Sequence, residues 1–180
     1  MQEPDPAVIG QDGAIQNFMG EITRHARASN GYVLELGCGK GTGSTLAIQR
    51  GLKNHPTPLH ISVDIQFQLE WRPQVDWWFF VKGDTRDEVT YDAVEGLAGR
   101  QPGLIFMDTQ HNGDQMRREL ELWSPMATKS TVWLFHDPYM WEHPNMYDRM
   151  HAISVFAHRN GWTYEDYRTE QHGLGRMMKS

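Results

Sequence analysis

The sequence predicts an α/β fold: a doubly wound, mostly parallel seven-stranded sheet whose last strand runs antiparallel. Three observations lead there. Short apolar runs rich in β-branched and aromatic residues alternate with segments of helical periodicity, the pattern of strands joined by crossover helices. The first such run breaks into alternating glycines, Gly37, Gly39, Gly41 and Gly43, which turn a strand sharply into a helix. The later runs end in Asp64, Gly83-Asp84, Asp108 and His136-Asp137, and ligands of open α/β sheets bind outside those carboxyl ends.

Residues 1–12 hold two prolines and no periodicity, so they read as a leader. Ile15, Phe18, Met19 and Ile22 recur at three and four and mark an amphipathic helix ending near Asn30-Gly31. Residues 1–30 are therefore expected to form a leader and helix, and 31–180 one domain. Tyr32 to Leu36 is a buried strand, followed by a helix through Leu46, Ala47 and Leu52 that stops before Pro56. His60 to Ile65 and Phe79 to Gly83 read as the next strands, and Val89, Ala93, Val94 and Leu97 as a helical stripe. Leu104 to Met107 is a strand, and Met116, Leu120 and Trp123 form the face of the helix after it. Thr131 to Phe135 is a fifth strand, and Met146, Met150, Ile153 and Ala157 line another helix, stopped by Asn160-Gly161. Trp162 to Tyr167 and Leu174 to Met178 are joined by a short polar link with no room for a helix, so one of them is antiparallel.

Composition narrows the class. In 180 residues only 36 are Leu, Ile, Val or Phe, while 7 Trp and 10 Met supply the missing apolar volume. The net charge is −6 with no basic stripe, so nucleic acid is not the expected partner. There is no apolar run of the about 18 residues needed to span a bilayer. One cysteine, Cys38, forms no internal disulfide, and the first residues carry no apolar signal core; both fit the cytoplasm.

Glu35-Leu36-Gly37-Cys38-Gly39-Lys40-Gly41-Thr42-Gly43-Ser44 is the most informative stretch. A phosphate loop fails because Leu34 stands where glycine is required and Gly41 follows Lys40. The dinucleotide pattern fails at Thr42, where Gly or Ala is needed, although a helix N-terminus still favours anions. Asp108 and Asp137 end adjacent strands, and converging carboxylates repel unless a cation or proton lies between them. Oxygen donors suit Mg²⁺.

The run E-x-G-x-G-x-G after an apolar strand resembles motif I of class I S-adenosylmethionine-dependent methyltransferases. The resemblance implies that Glu35 helps hold the methionine end of the cofactor and that Gly37, Gly39 and Gly41 contact it. It also implies that Asp64 accepts the ribose hydroxyls, that Asp84 lies near the adenine amino group, and that Asp108 borders the cofactor. Asp108-Thr109-Gln110-His111, the Glu119-Leu120-Glu121-Leu122-Trp123 helix, His136-Asp137 and Gly173-Leu174-Gly175 narrow the likeness further. Together they are similar to the macrolide-sugar and rhamnosyl O-methyltransferases and the cephalosporin hydroxylase group, over about residues 31 to 179. That resemblance implies a small-molecule hydroxyl as acceptor, His111 as the base that takes its proton, and a divalent ion at Asp108, His136 and Asp137. His136 stands where the sugar-modifying members often carry Glu, and an imidazole there leaves Mn²⁺ or a metal-free site open beside Mg²⁺. Pro138 to Pro144 reads as an aromatic lid over the acceptor, bracketed by prolines, and Trp71 with Phe67 as flanks for the adenine. A nicotinamide oxidoreductase, a non-catalytic S-adenosylmethionine-binding module and a metal-dependent hydroxylase stay open as alternatives, as does a second copy of the chain as partner.

Overall fold

The computed structural model describes residues 13–138, 146–168 and 173–179. The leader, the aromatic lid beyond its first residue Pro138, and most of the link between the last two strands lie outside them. In chain order the elements are α1 (Gly13–Gln16), α2 (Met19–Arg27), β1 (Tyr32–Leu36), α3 (Ser44–Leu52), β2 (His60–Asp64), β3 (Trp78–Lys82) and α4 (Glu88–Ala98). Then follow β4 (Pro102–Met107), α5 (Gly113–Trp123), a 3₁₀ turn (Ser124–Met126), β5 (Val132–His136), α6 (Met146–Asn160), β6 (Trp162–Arg168) and β7 (Leu174–Lys179).

The seven strands pair in the order β3-β2-β1-β4-β5-β7-β6, all parallel except β7, which is antiparallel to both neighbours. The order reverses between β1 and β4, the switch point where loops on the two sides part and leave a crevice. The glycine run leaves β1 at that point.

Each face of the sheet carries its own core. Leu34, Leu36, Ile61, Ile105, Met107 and Phe135 point to the side covered by α4, α5 and α6. Val33, Leu104, Phe106 and Leu134 point to the other, under α2 and α3. The N-terminal helices belong to this second core through Ile15, Phe18, Met19 and Ile22. Trp123 is fully buried, and its indole N–H donates to the Thr85 carbonyl at 2.8 Å. A wholly buried large side chain contributes about 1.5–3 kcal/mol, so Trp123 ties the loop after β3 to the floor of α5. Trp133 stacks on Phe135 with ring centroids 6.2 Å apart and meets Trp162 edge-on. The tryptophans thus supply the volume that the scarce aliphatics do not.

Two helical stripes differ from expectation. On α4 the buried residues are Thr90, Val94 and Ala98, whereas Val89 is 80% and Leu97 44% exposed. The helix lies against the outermost part of the sheet, so a narrow stripe suffices and the wider apolar pattern faces outward. On α6, Arg149 is buried with Ala152, Ile153 and Ala157, while Met150 is half-buried.

Candidate functional site

The first glycine of the loop is held where no side chain fits. Gly37 has φ of 85°, its N–H donates to Val63 O at 2.8 Å, and a Cβ there would overlap the Asp108 carbonyl. Gly39, at φ of 50°, has nothing within 4 Å of where a Cβ would stand. Gly37 therefore packs the loop against the end of β4, and Gly39 faces open space. That space is a cavity of about 820 Å³, bounded by the loop from Gly37 to Ser44, by Asp64 and Ile65 after β2, by Asp84, Thr85 and Arg86 after β3, and by Asp108 to Gln110 after β4. Ile15 of α1 and Gln115 of α5 close its sides.

Glu35 does not line the cavity. It is fully buried below the loop, where Oε1 accepts from the Ser44 hydroxyl at 2.6 Å and Oε2 from the Ser62 hydroxyl at 2.6 Å. Thr45 donates at 2.9 Å, and His60 Nε2 stands 3.1 Å away. Gln49 Nε2 lies 2.8 Å from His60 Nδ1, and an amide donor there leaves the ring proton on Nε2, facing Glu35. Ser44 and Thr45 begin α3, so this carboxylate fastens the helix whose N-terminus looks into the cavity.

Asp64 and Asp84 do line it. Asp64 Oδ2 accepts from the backbone N–H of Cys38 (3.1 Å) and Gly39 (2.9 Å), so one carboxylate shapes the loop and borders the cavity. Asp84 is gripped by Arg86, whose Nε and Nη2 donate at 2.9 and 2.6 Å, and this holds its carboxyl below the usual range. Burial pushes the Cys38 thiol far up, which makes it an inert packing group. Trp71 packs into the second core and Phe67 sits edge-on to Phe80, so neither borders the cavity; Ile65 does.

At the cavity's β4 side the remaining expected residues meet. His111 Nε2 lies 3.4 Å from Asp108 Oδ1 and 4.0 Å from Asp137 Oδ2. The His136 ring lies between the two carboxylates, Nδ1 3.2 Å from Asp108 Oδ1 and Nε2 3.2 Å from Asp137 Oδ1. Asn112, not His111, caps α5, accepting from Gln115 N at 2.8 Å, so the His111 ring is left to face the carboxylates with 29% of its side chain exposed. Burial acts to raise the Asp108 carboxyl, but the His136 imidazole beside it, the His111 ring and the Arg149 guanidinium overcome it and hold it well below the carboxylate range. Asp137 moves the other way: burial and the Asp108 charge raise it against the pull of the two imidazoles and Arg149.

For a divalent ion the donors are two carboxylates and two imidazoles, yet among the described residues no three His, Cys, Asp or Glu side chains are grouped as a metal cage. The expected trio of Asp108, His136 and Asp137 comes together around the imidazole ring instead, so these residues as placed do not fit a three-ligand ion.

Two parts of the site were given no role by the sequence. Glu119 is buried and accepts from Thr85, from Gln115 at 2.7 Å and from Thr109 at 2.8 Å, bracing three residues of the cavity wall. Arg149 sits wholly buried behind Asp108 and Asp137. From sequence Glu119 is legible only as the first residue of the Glu119-to-Trp123 run, with no sign that its carboxylate turns inward. Arg149 interrupts an apolar stripe, and that is its one trace.

A family model described as a methyltransferase domain matches residues 34–138, more than half of the chain. Among solved structures, the O-methyltransferase from Bacillus cereus in complex with SAH is 13% identical, with a TM-score of 0.68 over 98% of this chain and 92% of that one. CalS11, a TDP-rhamnose 3′-O-methyltransferase of calicheamicin biosynthesis, is 15% identical, with a TM-score of 0.65 over 93% of this chain and 80% of that one. MycE, the mycinamycin-pathway methyltransferase solved with Mg and SAH, is 16% identical with a TM-score of 0.65; the match covers 99% of this chain but only 55% of MycE. No curated protein matches the sequence. Among the described residues no helix is long and apolar enough to cross a membrane. Identities this low speak for the fold, and the family match, beginning in β1 and ending beyond β5, makes the chain a member of the methyltransferase domain family.

Proposed function

We propose that the chain transfers the methyl group of S-adenosylmethionine to a hydroxyl oxygen of a small molecule, a sugar or sugar-bearing natural product, with His111 taking the hydroxyl proton. One observation carries the reading: the glycine-loop cavity is walled at one side by Asp108, and Asp108 in turn contacts the His111 imidazole at 3.4 Å. A donor pocket and a base backed by carboxylates thus share a wall. CalS11, named as a TDP-rhamnose 3′-O-methyltransferase, and MycE, named for the mycinamycin biosynthetic pathway, support the acceptor class.

In the reaction the oxygen attacks the methyl carbon, the carbon–sulfur bond breaks, and the sulfonium leaves as a neutral thioether. The chain must therefore chiefly hold donor and acceptor in line and take up one proton. Asp64 offers its carboxylate to the ribose hydroxyls, and Gly37, Gly39 and Gly41 let the backbone approach the cofactor closely. Asp84 is held by Arg86 beside the adenine end. The His111 ring accepts the hydroxyl proton, and Asp108 and Asp137 stabilise the imidazolium that results. No step runs through a metal ion.

The test is calorimetry with S-adenosylhomocysteine and with NAD, followed by S-adenosylhomocysteine release over a panel of hydroxyl compounds that includes TDP-rhamnose. Binding of S-adenosylhomocysteine but not NAD is expected, with turnover on a sugar hydroxyl. Absence of S-adenosylhomocysteine binding sinks the reading, and binding without turnover on any hydroxyl leaves a cofactor-binding module.

A further inference from the structure

Arg149 is 1% exposed, and arginine almost never lies so deep without a fixed set of partners. It reaches from α6 to the ends of two strands. Nη2 lies 3.4 Å from the Met107 carbonyl, the last of β4, and Nη1 3.5 Å from the Asp137 carbonyl just beyond β5. Those carbonyls belong to the peptides next to the Asp108 and Asp137 side chains. Asp137 is held from its other side too, since its N–H donates to Gly173 O at 3.2 Å. Between these two ties Asp137 has φ of 51°, and among the described residues no other non-glycine has positive φ. L residues rarely adopt that conformation, and these two ties hold the backbone on both sides of it. Behind the clamp, Tyr164 packs over Gly175, where a Cβ would meet the phenol oxygen at 2.6 Å. A buried guanidinium is expensive to desolvate and an apolar side chain would fill the space more cheaply. What an apolar side chain could not do is hold two carbonyls from different strands at a set separation.

We propose that Arg149 is a positioning residue: by tying the Met107 and Asp137 carbonyls together it sets the spacing of the Asp108 and Asp137 carboxylates, and through them the orientation of the His111 ring. The proposal rests on the reading of His111 as the base, but its test needs no acceptor. The full chain is treated with diethyl pyrocarbonate, and labelling of His111 is measured by mass spectrometry relative to exposed His158 of the same helix-bearing region. Arg149→Met releases the carboxylates from His111 and raises that ratio about fivefold, whereas Arg149→Lys, which keeps a charged donor, stays within about twofold. Affinity for S-adenosylhomocysteine, read by calorimetry, falls by less than the labelling ratio rises, because Asp108 is one wall residue of the cavity while Asp64 and the glycine loop are untouched. If Arg149→Met does not fold by circular dichroism, Arg149→Gln carries the same expectation. An unchanged ratio in a folded Met or Gln variant overturns the proposal. So does a Lys variant as reactive as the Met variant, or a loss of S-adenosylhomocysteine affinity that parallels the labelling. Failure of the wild-type chain to bind S-adenosylhomocysteine would instead strike the proposed function and leave the labelling result readable by itself.

Discussion

Below the glycine loop and beyond the ends of β4 and β5, the chain buries carboxylates in two opposite ways. Glu35 is saturated: three hydroxyls and an imidazole surround its two oxygens, and none of it reaches the cavity. Asp108 and Asp137 face imidazoles at 3.2 to 4.0 Å, border accessible space, and rely on a left-handed backbone and a buried arginine to stay together. A charge with all its hydrogen bonds made inside the fold acts as scaffold. A charge whose partners are titratable and partly exposed can change its partner during a reaction, and the fold carries a cost for keeping it there.

Substitutions on the two sides should therefore fail differently. The largest effect is expected at the open cluster, where His111→Asn lowers turnover by about 10²–10⁴-fold and leaves S-adenosylhomocysteine affinity unchanged by calorimetry. Next is Asp64→Asn, which breaks a charge-assisted pair of loop hydrogen bonds and weakens S-adenosylhomocysteine binding by about 10–100-fold. At the closed network Glu35→Gln places an amide donor among hydroxyl donors and costs about 2 kcal/mol in urea unfolding; equal stability would show that the network is not scaffold. Asp137→Asn should do the reverse. Burial raises the Asp137 carboxyl in the fold, so its charge opposes folding above that raised value, and stability recovers as pH falls toward the ordinary carboxylate range. The Asn variant, which tolerates the left-handed backbone, loses turnover yet is at least as stable as the parent at pH 7, by thermal unfolding.

A smaller effect lies outside both regions. Burial, with Arg24 and Arg176 nearby, lowers His25 from 6.5 to about 4. The unfolded chain then binds the proton first, so the contribution of His25 is full above pH 6.5 and is lost as pH falls toward 4. His25→Gln should flatten the urea midpoint over that interval, and an unaltered slope would assign the acid sensitivity to the carboxylate cluster.

The elements of the sheet were legible because they rest on local pattern. Tyr32 to Leu36 is apolar except for Glu35 and is stopped by glycines, so both its type and its ends were readable. The antiparallel last strand followed from a link too short for a crossover. Asp64, Asp84, Asp108 and Asp137 were readable as strand-end acids, because α/β topology alone sends such residues to one rim. Periodicity could not rank two overlapping stripes on α4, where the choice depended on how little sheet the helix had to cover.

Other features were decided between segments far apart in the chain. That Glu35 is enclosed rather than presented depends on Ser44, Thr45, His60 and Ser62 arriving from α3 and β2. That His136 enters between Asp108 and Asp137 depends on the pairing of β4 with β5 and on the left-handed turn at Asp137. Arg149 looked like a polar interruption in an apolar stripe until the carbonyls of Met107 and Asp137 closed around it. Sequence by itself determined which chemical groups reach the rim, because strand direction and hydrophobic alternation are local properties of the chain. Only the tertiary structure decided which of those charges are satisfied and which are left to react, because hydrogen bonding and desolvation are set by partners that the chain order does not place side by side.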